Sequence, residues 1–226
     1  MRFTFTQVFF ALMGLSFLFA FGLACALGTA AALRPNSALD AAVNLVAFAA
    51  VSMPTFWLAL ILILVFSVGL GWLPASGIAT AGVGDAADRL RHLALPVATL
   101  ALANLGAYTR YVRAAMREAL AQDHIRTARA KGASEARIVL HHATRSALVP
   151  VATILALSFG GLVSGALVTE TMFAYPGMGK LVFDAVMGND YNLALAALLL
   201  ATATTMLANL AADLAYAALD PRVTYR

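Results

Sequence analysis

Uncharged apolar runs, several of them longer than the ~18–20 residues that cross a bilayer as a helix, alternate along this chain with short polar links. The first lies within Phe3–Leu33, 31 residues without a charge. The link RPNSALD (Arg34–Asp40) follows, and then a second run, about Ala41–Phe66, that contains Pro54. A proline costs a helix hydrogen bond but is tolerated where neighbouring helices pack around it, so a single span is expected here. The stretch SVGLGWLPASGIATAGVGDAADRLRH reads as a loop from its Gly, Ala and turn formers. A third span is expected at about Leu93–Val112, a fourth at about Ala147–Phe173 and a fifth at about Leu193–Leu219. The loop AYPGMGKLVFDAVMGNDYN lies between the last two, and DPRVTYR forms the tail. The pattern predicts an all-α, polytopic membrane helical bundle of about five spans, a single domain over residues 1–226 with no fixed-period repeat.

Composition supports that class. The chain is 62% hydrophobic and 12% charged, with a mean hydropathy of +0.85, far more apolar than a soluble domain. The first run exceeds the apolar core of about 7–15 residues of a cleaved signal, so a retained span is expected despite the small residues of ACALGTAAA. The lone cysteine, Cys25, rules out a disulfide framework and reads as packing. The pI near 9.6 reads as basic cytoplasmic loops rather than as binding of nucleic acid.

The basic residues are unevenly placed. Arg110, Arg113, Arg117, Arg126, Arg129, Lys131, Arg137 and Arg145 are eight of the chain's 15, all in the window Arg110–Arg145. The positive-inside rule puts that window in the cytoplasm, and alternation then puts the Arg34 link and the C-terminal tail there too. Only Arg89, Arg91 and Lys180 fall in outside loops, accompanied by Asp85, Asp88, Asp184 and Asp190. Five spans with the tail inside leave Met1-Arg2 outside, which the same rule disfavours.

Within the window the spacing predicts helix, turn, helix. Met116, Leu120 and Ile125 place apolar groups toward one side, and Arg126, Arg129 and Lys131 crowd a last turn where cations complement the helix dipole. Gly132 follows where a left-handed C-cap belongs. Ser134 can cap a second helix starting at Glu135, on which Ile138 and His142 share a face. Two readings of this segment stand side by side: an ordered hairpin that docks a partner, and a basic loop that only fixes topology or touches anionic lipid.

The motifs favour the first reading. QDHIRTARAKGA (Gln122–Ala133) and HHATRSALVP (His141–Pro150) resemble the cytoplasmic EAA loop of ABC-importer permeases, in the version of the dipeptide/oligopeptide/nickel branch. Arg126-Thr127-Ala128 stand where the general consensus has Glu-Ala-Ala, as is usual in that branch. The likeness continues in SMPTFWLALILILVF (Ser52–Phe66), GWLPASG (Gly71–Gly77), ETMFAYPGMGKL (Glu170–Leu181), DYN (Asp190–Asn192) and LDPRVTY (Leu219–Tyr225), in family order along essentially the whole chain. The resemblance implies a pore subunit of an ATP-driven importer in the bacterial inner membrane, with the basic loop and the C-terminus cytoplasmic and the family's usual first N-terminal span lacking. It implies a coupling segment at about 118–146 in which Arg126, Ala128, Lys131, Gly132, Ala133, Arg137, His142 and Arg145 meet an ATPase subunit. The implied partners are a second permease subunit, two cytoplasmic ATPases that bind the ATP, and an extracytoplasmic solute-binding protein. The cargo would be a peptide or a related small solute, nickel included.

Other residues carry weaker signals. Adjacent His141 and His142 point about 100° apart on a helix and are poorly placed to share a metal. His92 and His124 fall on opposite sides of the membrane. Gly-x-Ser-x-Gly, His-Glu-x-x-His and GxxxxGK[ST] are all absent from the sequence, so no catalytic set and no nucleotide site is expected, and no cofactor. Gly161-Leu-Val-Ser-Gly165 suggests close helix packing, and Ser158, Ser164 and Thr169 suit either a polar path or packing. Glu170, Asp213 and Asp220 lie near span ends, where a functional role and snorkelling or an Arg partner are equal alternatives. A stand-alone secondary transporter would show inverted repeats with matched broken helices, and a membrane-embedded redox or enzyme subunit would show paired intramembrane His, Cys or acids. Neither pattern is found.

Overall fold

A computed structural model describes residues 5–83, 85–148, 150–151 and 166–219. Every regular element among them is helical. In chain order they are α1 (Phe5–Leu33), α2 (Ala38–Ser52), α3 (Thr55–Leu62, running on as a π-helix over Ile63–Gly69), α4 (Ala86–Ala121), α5 (Asp123–Ala130), α6 (Glu135–Arg137, running on as a π-helix over Ile138–Ala143), α7 (Leu167–Met172), α8 (Met178–Met187) and α9 (Tyr191–Leu219). Two helical stretches, Ala11–Leu33 and Ala86–Leu120, are long and apolar enough to cross a membrane, and the bent pair Ala38–Ser52 with Thr55–Gly69 makes a third if taken as one span. The expected fifth span falls on α9, whose described apolar stretch, Tyr191–Leu207, is shorter than the stretches counted as long enough to cross. Most of the expected fourth span lies outside the described residues, together with Gly161–Gly165, Ser158, Ser164, Asp220 and the side chain of Asp213.

Two elements differ from the sequence expectation. The second span is not one helix through Pro54: it ends at Ser52, and α3 leaves at 104°. Met53 is extended, at φ −83° and ψ 127°, as the residue before a proline prefers, and Pro54 opens the next helix where its missing N–H costs nothing. The third span is longer at both ends than Leu93–Val112. At about 1.5 Å per residue the 36 residues of α4 run about 54 Å, well beyond a hydrocarbon core of about 30 Å. Hydropathy marks the part of a helix that sits in lipid, whereas the Ala-, Arg- and Glu-rich continuation YVRAAMREALA still favours helix.

α4 is the axis of the molecule. It packs along α1 and against α2 and α3. Gly28 of α1 sits so close to α4 that a Cβ there would lie 2.8 Å from the Thr109 carbonyl oxygen, and a Cβ on Gly106 would collide with the Ala47 carbonyl of α2. In lipid, where burying apolar surface brings no gain over the solvent, such small residues let helices associate by backbone contact. One core cluster, at the end that carries the basic segment, joins Ala20, Ala24, Leu105, Tyr108, Val112 and Met116 to Ile125, Ile138 and Ala143. A second, at the other end, joins Leu12, Met13, Leu58, Leu62 and Leu95 to Phe173 and Tyr175. Cys25 is half-buried and packs on the first cluster. Outward faces stay apolar, with Leu45 and Phe48 on α2 and Leu199, Met206 and Leu207 on α9 all exposed.

Gly106→Val is expected to push α2 off α4 and to lower the detergent-solubilised chain's stability by about 1–3 kcal/mol. Gly14→Ala meets nothing within 4 Å and is expected to be neutral or to stabilise by about 0.5–1 kcal/mol. Thermal unfolding followed by circular dichroism separates the two, and equal midpoints would contradict the close-approach reading.

Candidate functional site: the basic hairpin

The basic segment folds as a capped helical hairpin at the end of α4. α4 stops at Ala121, Gln122 turns extended, and α5 begins at once. Met116 and Ile125 are both buried and Leu120 half-buried on the same cluster, so the apolar side read from sequence is real although it spans two helices. α5 closes in a Schellman motif. The N–H of Gly132 donates to the Arg129 carbonyl (2.9 Å) and that of Ala133 to the Ala128 carbonyl (3.1 Å), with Gly132 at φ +80°. Only Gly, and less readily Asn, takes that backbone without strain. Ala128 and Ala133 are half-buried against the core, the apolar contact that accompanies this cap. The Ser134 hydroxyl then accepts from the Arg137 N–H (3.4 Å) and starts α6.

A clasp that the sequence reading did not include spans the turn. Arg129 Nε donates to Glu135 Oε1 (2.8 Å) and its Nη2 to Oε2 (3.2 Å), a bidentate fork across Gly132. The guanidinium holds the Glu135 carboxyl below its ordinary value. The cue was available: Glu135 is the sole acid between Arg126 and Pro150.

The other expected residues divide into two groups. Arg126, Lys131 and Arg137 are exposed around the hairpin, with Arg126 3.7 Å from Asp123. His142 and Arg145 come together on the far arm, where a cleft of about 390 Å³ is lined by them with Gln122, His124, His141 and Ser146. His124 Nε2 lies 3.4 Å from the Ser146 hydroxyl, and the rings of His141 and His142 meet edge to face at 5.3 Å. Among the described residues no group of His, Cys, Asp or Glu is placed to hold a metal.

Two further polar sites pin the helices. Arg113 of α4 donates from Nε to Asp40 Oδ1 (2.6 Å) and from Nη2 to Oδ2 (2.7 Å) at the start of α2. Glu170 is fully buried, and its Oε2 accepts from the backbone N–H of Lys180 (2.8 Å) at the start of α8, while Oε1 has no hydrogen-bond partner. That backbone donor, not an arginine or snorkelling to water, is its hydrogen-bond partner, and Gly177 abuts the carboxyl so closely that any Cβ would collide with it. His92, at the other end of α4 from His124, sets Nδ1 2.9 Å from the Asp88 carbonyl.

A lipid-faced helical bundle that carries a capped basic hairpin beyond one end of α4 defines a membrane protein. The chain belongs to the binding-protein-dependent transport system inner membrane component family, which it matches over residues 19–225. It is 40% identical over 215 residues to the oligopeptide transport system permease protein AppB of Bacillus subtilis, covering 95% of this chain and 68% of that one. It is 40% identical to the di/tripeptide transport system permease protein DppB of Pseudomonas aeruginosa (88% of this chain, 65% of that one) and to the glutathione transport system permease protein GsiC of Escherichia coli K12 (91% and 64%). The chain thus spans about two thirds of the length of these relatives. Its fold is similar to a chain of the MetNI methionine ABC transporter in an inward-facing conformation, with a TM-score of 0.73 over 93% of this chain and 92% of that one at 19% identity.

The clasp has a pH signature. Because the folded-state pKa of Glu135 is lowered, its contribution is present above the ordinary value of 4.5 and is lost as pH falls through the folded value. A spin label at Ala136→Cys in a Cys25→Ala chain is expected to be ordered at pH 7 and to gain mobility below pH 4.5, and Glu135→Gln to show the mobile spectrum throughout. A label whose spectrum ignores both changes would remove the clasp from the account.

Proposed function

We propose that this chain is a pore subunit of an ATP-driven importer of peptides, and that the hairpin at 118–146 is the lever on which a cytoplasmic ATPase pushes. The observation that carries the reading is the Schellman-capped turn at Gly132, anchored through Ile125 and Ile138 in the core of α1 and α4. A hairpin so anchored moves with its helices instead of flexing against them. Arg126, Lys131, Gly132, Arg137, His142 and Arg145 face the ATPase in this reading, while Ala128 and Ala133 hold the turn's shape. Two ATPase subunits bind and hydrolyse the ATP, a second permease completes the pathway, and a binding protein outside delivers the solute. The chain forms one membrane domain, with the hairpin and C-terminus cytoplasmic and the Trp72 loop outside. Relatives named for oligopeptides, di/tripeptides and glutathione support a peptide as the cargo.

Orientation is tested by single-cysteine labelling in a Cys25→Ala chain. Ser76→Cys, in the exposed loop before α4, is expected to react with a membrane-impermeant maleimide from outside, and Ser134→Cys to react only after permeabilisation. The opposite accessibility would overturn the orientation and the importer with it.

Coupling is tested at Gly132. A β-branched residue at φ +80° must bear strain of about 1–2 kcal/mol or shift the turn, and a shifted turn re-aims α6. Gly132→Val is expected to reach the membrane in near-normal amount, to lose co-purification with the ATPase subunits and to abolish uptake of a radiolabelled peptide, whereas Gly132→Asn is milder. Normal assembly and uptake by Gly132→Val would show that this turn is not the lever.

A further inference from the structure

Asp40 and Arg113 stand 73 residues apart in sequence and meet in a bidentate ion pair. Asp40 is buried, and the rest of its hydrogen-bonding capacity is also used. Oδ2 accepts from the Asn36 N–H (3.0 Å), Oδ1 from Asn44 Nδ2 (2.8 Å), and its own N–H donates to the Ser37 hydroxyl that caps α2. Asn36 holds a left-handed backbone, φ 61°, to bring its N–H there. The carboxylate therefore fixes the geometry of the whole Arg34–Asp40 elbow and ties it to one guanidinium. Arg113 is the right residue for such a joint, since its planar fork grips two oxygens at once and resists rotation, which a lysine ammonium does not.

The place of the joint matters. Arg113 lies on the basic end of α4, one turn before Met116, which shares a core with Ile125 and Ile138 of the hairpin. Asp40 lies at the foot of α2, which ends at the Pro54 break and hands on to α3 at 104°. Between the Gly106–Ala47 contact and the ion pair, α2 is held to α4 at two heights. We propose that the Asp40–Arg113 pair is a strut that makes the α1–α2 elbow and α2 move as one body with α4, so that displacement of the hairpin is delivered to the bend at Pro54. Asp40 and Arg113 are positioning residues in this scheme; neither meets the solute or the ATPase. The strut rests on the proposed importer function for its purpose but not for its mechanics.

Spin labels at Leu45→Cys on α2 and Glu118→Cys on α4, in a Cys25→Ala chain, read the strut by pulsed electron resonance. In the purified chain in detergent the separation is expected to be a single narrow distribution, and Arg113→Lys and Asp40→Asn are expected to broaden it. Equal widths in all three would overturn the strut, whether or not the chain proves to be an importer. In the assembled complex with ATPase subunits, the separation in the native pair is expected to stay fixed between the nucleotide-free and ATP-bound states. A change larger than the native width would also overturn it, and this arm needs no variant that could fail to accumulate. With the strut cut, ATP hydrolysis is expected to persist while peptide taken up per ATP falls about tenfold. Arg113→Lys with unchanged stoichiometry would show that the joint does not transmit the stroke. A native chain that binds no ATPase would refute the importer reading and leave the detergent result to decide the strut.

Discussion

Gly106 and Gly28 are the points at which α4 touches its neighbours backbone to backbone. Inside a bilayer the hydrophobic effect does not drive one apolar helix against another, because lipid is as good a solvent for leucine as leucine is. Association must come from close packing and from polar groups that have nowhere else to go. α4 uses both. Gly28 admits it to α1, Gly106 admits it to α2, and the Asp40–Arg113 fork closes α2 against α4 at the basic end. The opposite end is tied by a second polar joint, in which Asp88 accepts from the Thr80 N–H (2.6 Å) and hydroxyl (2.7 Å) and fixes the loop before the helix. A rod clamped along its length and at both ends transmits a displacement instead of absorbing it.

The features legible in the sequence were local ones. A long uncharged run announces a span wherever its partners are, and the turn at Gly132 is a motif of six residues whose hydrogen bonds lie within it, so RTARAKGAS could be read almost atom by atom. The features that stayed hidden depend on distant partners or on a competition between local terms. Pro54 inside an apolar run is compatible with a kink or a full break, and the break of 104° that is found goes with α3 packing on α4 and α7, distant partners that the run itself does not show. The α2 N-terminus carries a visible cap, Ser37 with Asp40 three residues on, but nothing in that spacing says that the carboxylate reaches Arg113. Glu170 was open to a functional role or to snorkelling or an arginine partner; instead it is fully buried, and the chain returns at Lys180 to offer a backbone N–H, a contact that no charge pattern can display.

On the proposed reading the hairpin separates two jobs, attracting a partner and carrying load. Its cations lie on the outside, where charges more than about 8 Å apart are screened at physiological salt. Such charges orient an approaching acidic surface and speed its arrival more than they hold it. Mechanical load has to travel by another route, through groups that cannot slip. Ile125 and Ile138 are completely buried, and the Schellman turn between them is closed by the backbone hydrogen bonds from Gly132 and Ala133. Force applied at Gly132 therefore reaches the core through apolar contacts and backbone hydrogen bonds that salt does not weaken. On the proposed reading, raising ionic strength should slow docking of an ATPase subunit while leaving the buried anchor at Ile125 and Ile138 in place, whereas a change of backbone at the turn should spoil the seating of the hairpin whatever the salt.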